Sequence, residues 1–170
     1  MVLLKCDAEE NDRHSEFFRV PVFLSSNDMM RASGILLPIS SIPSNYGIGC
    51  FSKEAYAFVD QLAEAGQKYW QILPLGPTGY GDSPYQSFST FAGNPYFIDL
   101  EELIQRDLLT AAECAECDWG GSKSYVDYEK VYLSRFSLLR KAYRRFYQMD
   151  GKEKELQLIR EEMEAFEKEQ

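Results

Sequence analysis

The chain holds 170 residues and sets 18 Lys+Arg against 27 Asp+Glu, a formal charge of -9. An acidic chain repels phosphate, so nucleic acid is set aside as a partner, while 45% apolar and 26% charged residues exclude global disorder and suit a domain with a real core. The apolar run from Ile35 to Ile39 is far shorter than the roughly 20 residues of a membrane span, and a single histidine, His14, excludes sites built on several imidazoles.

Residues 1–30 lack sustained periodicity and read as an irregular extension, and the change of character after Asn27-Asp28-Met29-Met30 makes Met30 a candidate start. Ile35-Leu36-Leu37 then predicts a buried strand feeding a Pro/Ser/Asn/Gly loop from Pro38 to Gly49. Ser52 is an N-cap candidate, and Ala55, Phe58, Val59, Leu62 and Ala65 recur at helical spacing until Gly66 stops them. The β-forming segment from Lys68 to Leu73, halted by Pro74, predicts a second buried strand. Strand, helix and strand in this order make a βαβ unit with parallel strands.

Residues 75–96 interleave glycine and proline with Tyr80, Tyr85, Phe88, Phe91 and Tyr96. A loop of that length, too aromatic for disorder, tends to be functional. Beyond it, Asp99 with Glu102 and Thr110 with Glu113 have capping-box spacing, marking helix starts rather than catalytic acids. Tyr128 to Tyr147 predicts a longer helix with Val131, Ser134, Leu138 and Leu139 on one face and Lys141, Arg144 and Arg145 towards its negative end. Leu156, Ile159, Met163 and Phe166 form an apolar seam in the charged amphipathic stretch 151–170, which shows no C-terminal stop, so the chain is expected to be cut mid-protein. Cys6, Cys50, Cys114 and Cys117 show no disulfide framework, which favours a reducing cytoplasm. Cys114 and Cys117 lack the second pair or nearby His of a zinc site and read as two thiols one helical turn apart.

Two stretches could carry chemistry. Gly47-Ile48-Gly49 opens like a dinucleotide fingerprint, but the third glycine is missing and the loop is wide; the alternative is that Gly47 and Gly49 supply positive-φ positions. In the segment Gly79-Tyr80-Gly81-Asp82-Ser83-Pro84-Tyr85, which follows a strand's C-terminal end, tyrosine rings can stack on hexose faces while Asp82 and Ser83 read sugar hydroxyls. Composition alone favours the alternative, a proline-pinned loop whose aromatics pack internally.

The motifs Ser33-Gly34-Ile35-Leu36-Leu37-Pro38, Asn45-Tyr46-Gly47-Ile48-Gly49, Tyr69-Trp70-Gln71-Ile72-Leu73-Pro74-Leu75-Gly76-Pro77-Thr78, Gly81-Asp82-Ser83-Pro84-Tyr85-Gln86 and Gly93-Asn94-Pro95-Tyr96 together resemble the N-terminal part of amylomaltases, the 4-α-glucanotransferases (disproportionating enzymes) of glycoside hydrolase family 77. The resemblance spans 31–150, near a quarter of such an enzyme, and leaves 1–29 without counterpart. It implies an α/β fold: the incomplete N-terminal part of a (β/α)8 TIM barrel with family-specific helical insertions. It implies transfer of α-1,4-glucan segments to a sugar 4-hydroxyl by a retaining mechanism in starch or maltodextrin metabolism. The implied partners are α-1,4-glucans and glucose as acceptor, in the cytoplasm, with no cofactor, metal, nucleic acid or membrane. Tyr85 matches the tyrosine beside the bond-cleavage subsite, Asp82 and Ser83 take supporting roles in its loop, and Tyr80 with Tyr132 match a surface pair resembling a second glucan site. The family's catalytic carboxylates would all fall beyond Gln170, so no catalytic residue is assigned and the chain is expected to be inactive alone. The competing readings are a non-catalytic α-glucan-binding module using Tyr80, Tyr85 and Tyr132, and a dinucleotide-binding domain.

Overall fold

The computed structural model describes residues 2–5, 31–79, 81–89, 91–122, 124–148 and 161–165. Strand β2 (Gly34–Leu36), helix α1 (Lys53–Glu64) and strand β3 (Tyr69–Ile72) form the expected βαβ unit, with Gly34 opposite Tyr69 and Leu36 opposite Gln71 in parallel register. Helix α1 ends where the sequence predicts: Gly66 takes φ 72°, its N–H donates to Ala63 O at 3.0 Å, and the Gln67 N–H donates to Leu62 O at 2.9 Å. That six-to-one and five-to-two pair of bonds satisfies the last carbonyls of the helix.

The strand β1 (Val2–Lys5) adds to the other edge of β3, antiparallel, with Val2 opposite Ile72 and Lys5 opposite Tyr69. The sheet order is therefore β1-β3-β2. Here the fold departs from the all-parallel barrel portion that the resemblance implies. An antiparallel neighbour needs no helical crossover, so a short segment of the extension can supply it. The rest of that extension, with Met30 as candidate start and His14, lies outside the described residues.

The core forms on one side of this unit. Ile39, Ile42, Ala55, Leu62, Trp70 and Ile72 are buried, and Leu37, Phe51, Phe58, Val59 and Phe97 pack against them. Along β3 burial alternates, so Trp70 and Ile72 point inward. Trp70 satisfies its indole by donating Nε1–H to Leu37 O at 2.8 Å and meets the Phe58 ring edge-to-face at 5.0 Å.

Three local expectations are corrected. The strand read as buried, β2, exposes Ile35 and Leu36 by 41% and 57%; among the described residues it pairs with β3 alone and stands at the edge of the sheet. Ser52 is the N-cap residue of α1 yet caps no backbone N–H with its side chain, because its Oγ–H donates to Glu54 Oε2 at 2.7 Å. Ala65 is not on the buried face of α1 but stands exposed as its C-cap.

The described chain divides into two compact units that alternate along the sequence, one holding Met1–Asp99 and Asp118–Tyr132, the other Leu100–Cys117 and Leu133–Gln170. The second unit is helical: α2 (Leu100–Gln105), α3 (Ala111–Ala115) and most of α4 (Tyr128–Gln148). The capping box of α3 forms as expected, with Thr110 Oγ1 accepting from the Glu113 N–H and Glu113 Oε2 accepting from the Thr110 N–H. Glu113 also receives a fork from Arg145, both nitrogens donating at 2.7 Å, while Arg145 Nη1 donates to Leu108 O at 3.2 Å. These bonds hold the Glu113 carboxyl down at about 2. Along α4, Leu138 is buried as predicted, joined by Arg135, Ala142 and Phe146, which the apolar pattern alone did not single out. Cys114 is buried and Cys117 half-buried, and burial pushes both thiols up. Residues 161–165 are helical, and the remainder of the predicted terminal seam lies outside the described residues.

Candidate functional site

The site belongs to the first unit and grows from the C-terminal end of β3. Residues 75–94 leave the strand and return to it, closed at the base by the Asn94 N–H, which donates to Leu75 O at 2.8 Å. Asn94 is buried, and its Oδ1 accepts from the Tyr96 N–H at 3.0 Å, starting the one-turn 3₁₀ helix Pro95–Phe97. Midway, Thr78 and Ser87 face each other in an antiparallel bridge. Gly76 sits so close to the Ser87 side chain that a Cβ would not fit. This is a compact, internally bonded loop with its ends together.

Two successive turns shape its tip. The Asp82 N–H donates to Gly79 O at 3.2 Å, and Gly81 and Asp82 take φ 86° and 52°. Asp82 is thus held in the left-handed region, uncommon for a residue with a Cβ though tolerated best by Asn and Asp. In the second turn the Gln86 N–H donates to Ser83 O at 3.1 Å, with Pro84 at the corner that its fixed φ favours. The Ser83 hydroxyl accepts from the Tyr85 N–H at 3.4 Å. Ser83 therefore shapes the turn that carries Tyr85. Beyond it, Ser87 Oγ–H donates to Ser89 O at 2.6 Å, and Ser89 Oγ accepts from the N–H groups of Phe91 and Ala92.

This ordered loop presents Tyr85, Phe88 and Phe91 at 72%, 77% and 81% exposure. Among the described aromatics of the loop, the alternative in which they pack internally holds for Tyr96 alone, which is buried. Beneath the tip lies a cavity of about 100 Å³ lined by Ser40, Asp82, Pro84, Asn94, Tyr96 and Tyr128, among others. Asp82 is the single carboxylate in that lining. Tyr96 and Tyr128 rings meet at 6.0 Å. Burial, and secondarily the Asp82 charge, push the Tyr128 phenol up.

The predicted residues thus take different places. Asp82 lines the cavity, Ser83 shapes the tip, Tyr85 crowns it, and Tyr132 is exposed on α4 outside the cavity. Tyr80 lies outside the described residues. Ser40, Asn94, Tyr96 and Tyr128 were not predicted as site residues. The sequence marks Tyr128 as the start of a helix, and a cluster assembled from residues near 40, 95 and 128 has no local signature.

The glycines once weighed as a dinucleotide fingerprint serve packing. Gly47 takes φ 74° against Trp119 O and Val131, and Trp119 meets the Tyr46 ring edge-on at 5.4 Å. Gly49, expected at positive φ, is instead required by the backbones of Ile39 and Ile42, which leave no room for a Cβ. With their surroundings filled by protein, these glycines offer no cradle for a pyrophosphate.

A family model described as 4-alpha-glucanotransferase, of the glycoside hydrolase 77 type, matches residues 37–170. The chain is 56% identical over 119 residues to the 4-alpha-glucanotransferase of Streptococcus pneumoniae, covering 70% of this chain and 24% of that protein. It is 54% identical over 112 residues to that of Clostridium butyricum, covering 66% and 23%. Among solved structures, amylomaltase from Streptococcus agalactiae in complex with acarbose matches with a TM-score of 0.73 and 41% identity, over 82% of this chain and 27% of that one. The chain spans about a quarter of the length of the relatives it matches.

Proposed function

The chain belongs to the 4-alpha-glucanotransferase family of glycoside hydrolase type 77, and we propose that it carries part of the donor-sugar site of such an enzyme, binding α-1,4-glucan through the loop that follows β3. The single observation that carries this reading is Tyr85, a large aromatic ring 72% exposed on a turn closed by the Gln86 N–H on Ser83 O and braced by the Ser83 hydroxyl. An exposed ring on a fixed backbone is ready to stack on a pyranose face without ordering cost at the moment of binding. Asp82 and Ser83 support it, the first by its carboxylate at the cavity, the second by bracing the turn. Tyr80 and Tyr132 are proposed as a separate glucan contact.

In the same reading β2 and β3 are the first two strands of a (β/α)8 barrel, since parallel barrels build their sites from the loops at the strands' C-terminal ends. Strand β1, which pairs antiparallel with β3, stands outside that parallel barrel portion. Transfer with retention requires two carboxyl groups about 5 Å apart, one as nucleophile and one as acid and base. With Asp82 alone in the cavity lining, the described residues bind and orient sugar while the paired carboxylates come from other parts of the enzyme. Glucose is the proposed acceptor and the cytoplasm the proposed compartment.

A non-catalytic α-glucan-binding module is the second reading, favoured by that same lone carboxylate. Incubating the chain with maltotriose tests the assignment of chemistry. No release of glucose is expected, and glucose with longer maltodextrins would show that the chain's own acids complete the reaction. Titration with maltoheptaose and with NAD tests the ligand class: saturable binding of the first alone is expected, and a response to NAD alone would overturn the reading.

A further inference from the structure

Tyr128 is absent from the predicted site, yet it stands where the loop's most demanding backbone meets the body of the unit. It begins α4 in sequence, at a position where the Asp127 side chain accepts the Lys130 N–H at 3.3 Å and the Asp127 carbonyl accepts the Val131 N–H at 3.0 Å. The start of the helix is thereby fixed. A second anchor lies two residues beyond Tyr128: Lys130 Nζ pairs with Asp118 Oδ2 at 2.8 Å, and Asp118 also accepts the Gly120 N–H at 2.9 Å. From this fixed point the Tyr128 ring reaches the cavity wall, half-buried, 6.0 Å from the Tyr96 ring. Tyr96 is itself tied through Asn94 to the loop's closing bond on Leu75.

The same cavity is lined by Asp82 and Pro84, and between these two the chain passes from the left-handed corner at Gly81–Asp82 into the turn that crowns Tyr85. A residue with a Cβ at φ 52° is a small store of strain that persists only where its surroundings over-determine it. Among the described residues a Cβ added at Gly81 would meet open space, and Tyr85 is largely in solvent. The Asp82 carboxylate lies near enough for its charge to act on the Tyr128 phenol.

We propose that Tyr128 is a positioning residue: its ring, held by the start of α4 and by Tyr96, lines the same cavity as Asp82 and Pro84 and so fixes the turn that presents Tyr85 to sugar. The part concerning sugar rests on the function proposed above; the part concerning the turn does not. Loss of the ring frees the Gly81–Asp82 corner, and the sugar-facing ring then samples many orientations, which raises the ordering cost of binding.

The test uses the full chain and two variants, Tyr128→Leu and Tyr128→Phe, with amide hydrogen exchange and calorimetric titration with maltoheptaose. In Tyr128→Leu the amides of Asp82 and Gln86, which close the two turns, are expected to exchange about tenfold faster, while the amides of β3 keep their rates. Maltoheptaose binding weakens about tenfold in the same variant. Tyr128→Phe keeps the ring and restores both readouts to within about twofold. Unchanged exchange at Asp82 and Gln86 in Tyr128→Leu would overturn the proposal. So would equal acceleration in β3, which would make Tyr128 an ordinary core residue. If the unmodified chain binds no maltoheptaose, the sugar reading fails, whereas the exchange comparison still decides what Tyr128 does to the turn.

Discussion

Trp70 and Tyr85 sit on one continuous piece of chain, the first on β3 and the second on the loop that leaves it, and the fold treats them in opposite ways. Trp70 is fully buried, its one polar atom satisfied by Leu37 O at 2.8 Å and its ring wedged on Phe58. Tyr85 is 72% exposed, and the bonds around it hold the backbone and leave the ring free. The difference teaches where each residue type is spent. Apolar rings with neighbours on every side hold the body together, and rings without neighbours, on a backbone that is nonetheless fixed, are what a ligand meets.

The largest effect should follow from removing the buried partner of this pair. Trp70→Ala should cost about 3–5 kcal/mol, the usual range for emptying such a site, and should abolish the cooperative urea transition of the first unit; a loss below about 1 kcal/mol would break the contrast. The second unit sharpens it by resting on charge. Glu113, whose ordinary value is 4.5, is held at about 2 by Arg145 and its capping bonds. A carboxyl depressed in the folded state stabilises above its unfolded pKa and loses that contribution as pH falls through the folded one. The gap in Tm between the wild type and Glu113→Gln should therefore be full above pH 4.5 and close as pH falls towards about 2; a gap independent of pH would contradict the pairing. A smaller effect is expected at the turn behind α1. Gly66→Ala places a Cβ at φ 72° with open space around it, so conformation alone should cost about 1 kcal/mol in denaturant melts. The smallest effect belongs to the loop. Phe88→Ser and Phe91→Ser should leave stability within about 0.5 kcal/mol, and a larger loss would mean that these rings pack after all.

Much of the body was legible because its signals are local. Ala55, Phe58, Val59 and Leu62 share a helical stripe, Gly66 follows them as a left-handed stop, and Thr110 with Glu113 has the spacing of a reciprocal cap. What was illegible depends on neighbours distant in sequence. Nothing in Ile35-Leu36 says that β2 will be an edge, and nothing near Val2–Lys5 says that it will pair with β3. Gly49 reads as a positive-φ position until the backbones of Ile39 and Ile42 are seen against it. Glu113 reads as a cap, and only the return of α4 brings Arg145 to it. Within the site the division is the same. Tyr85, Asp82 and Ser83 were reached through a motif contiguous in sequence, whereas Tyr128 joins them only through the cavity.

The central claim is that an exposed ring on a fixed loop binds α-glucan, and it is tested most directly by calorimetric titration of the chain with maltoheptaose, side by side with Tyr85→Ala. The account predicts saturable binding that weakens about tenfold in the variant, in the range of one aromatic stacking contact, with the urea midpoint unchanged. Equal affinity in the two proteins would contradict it.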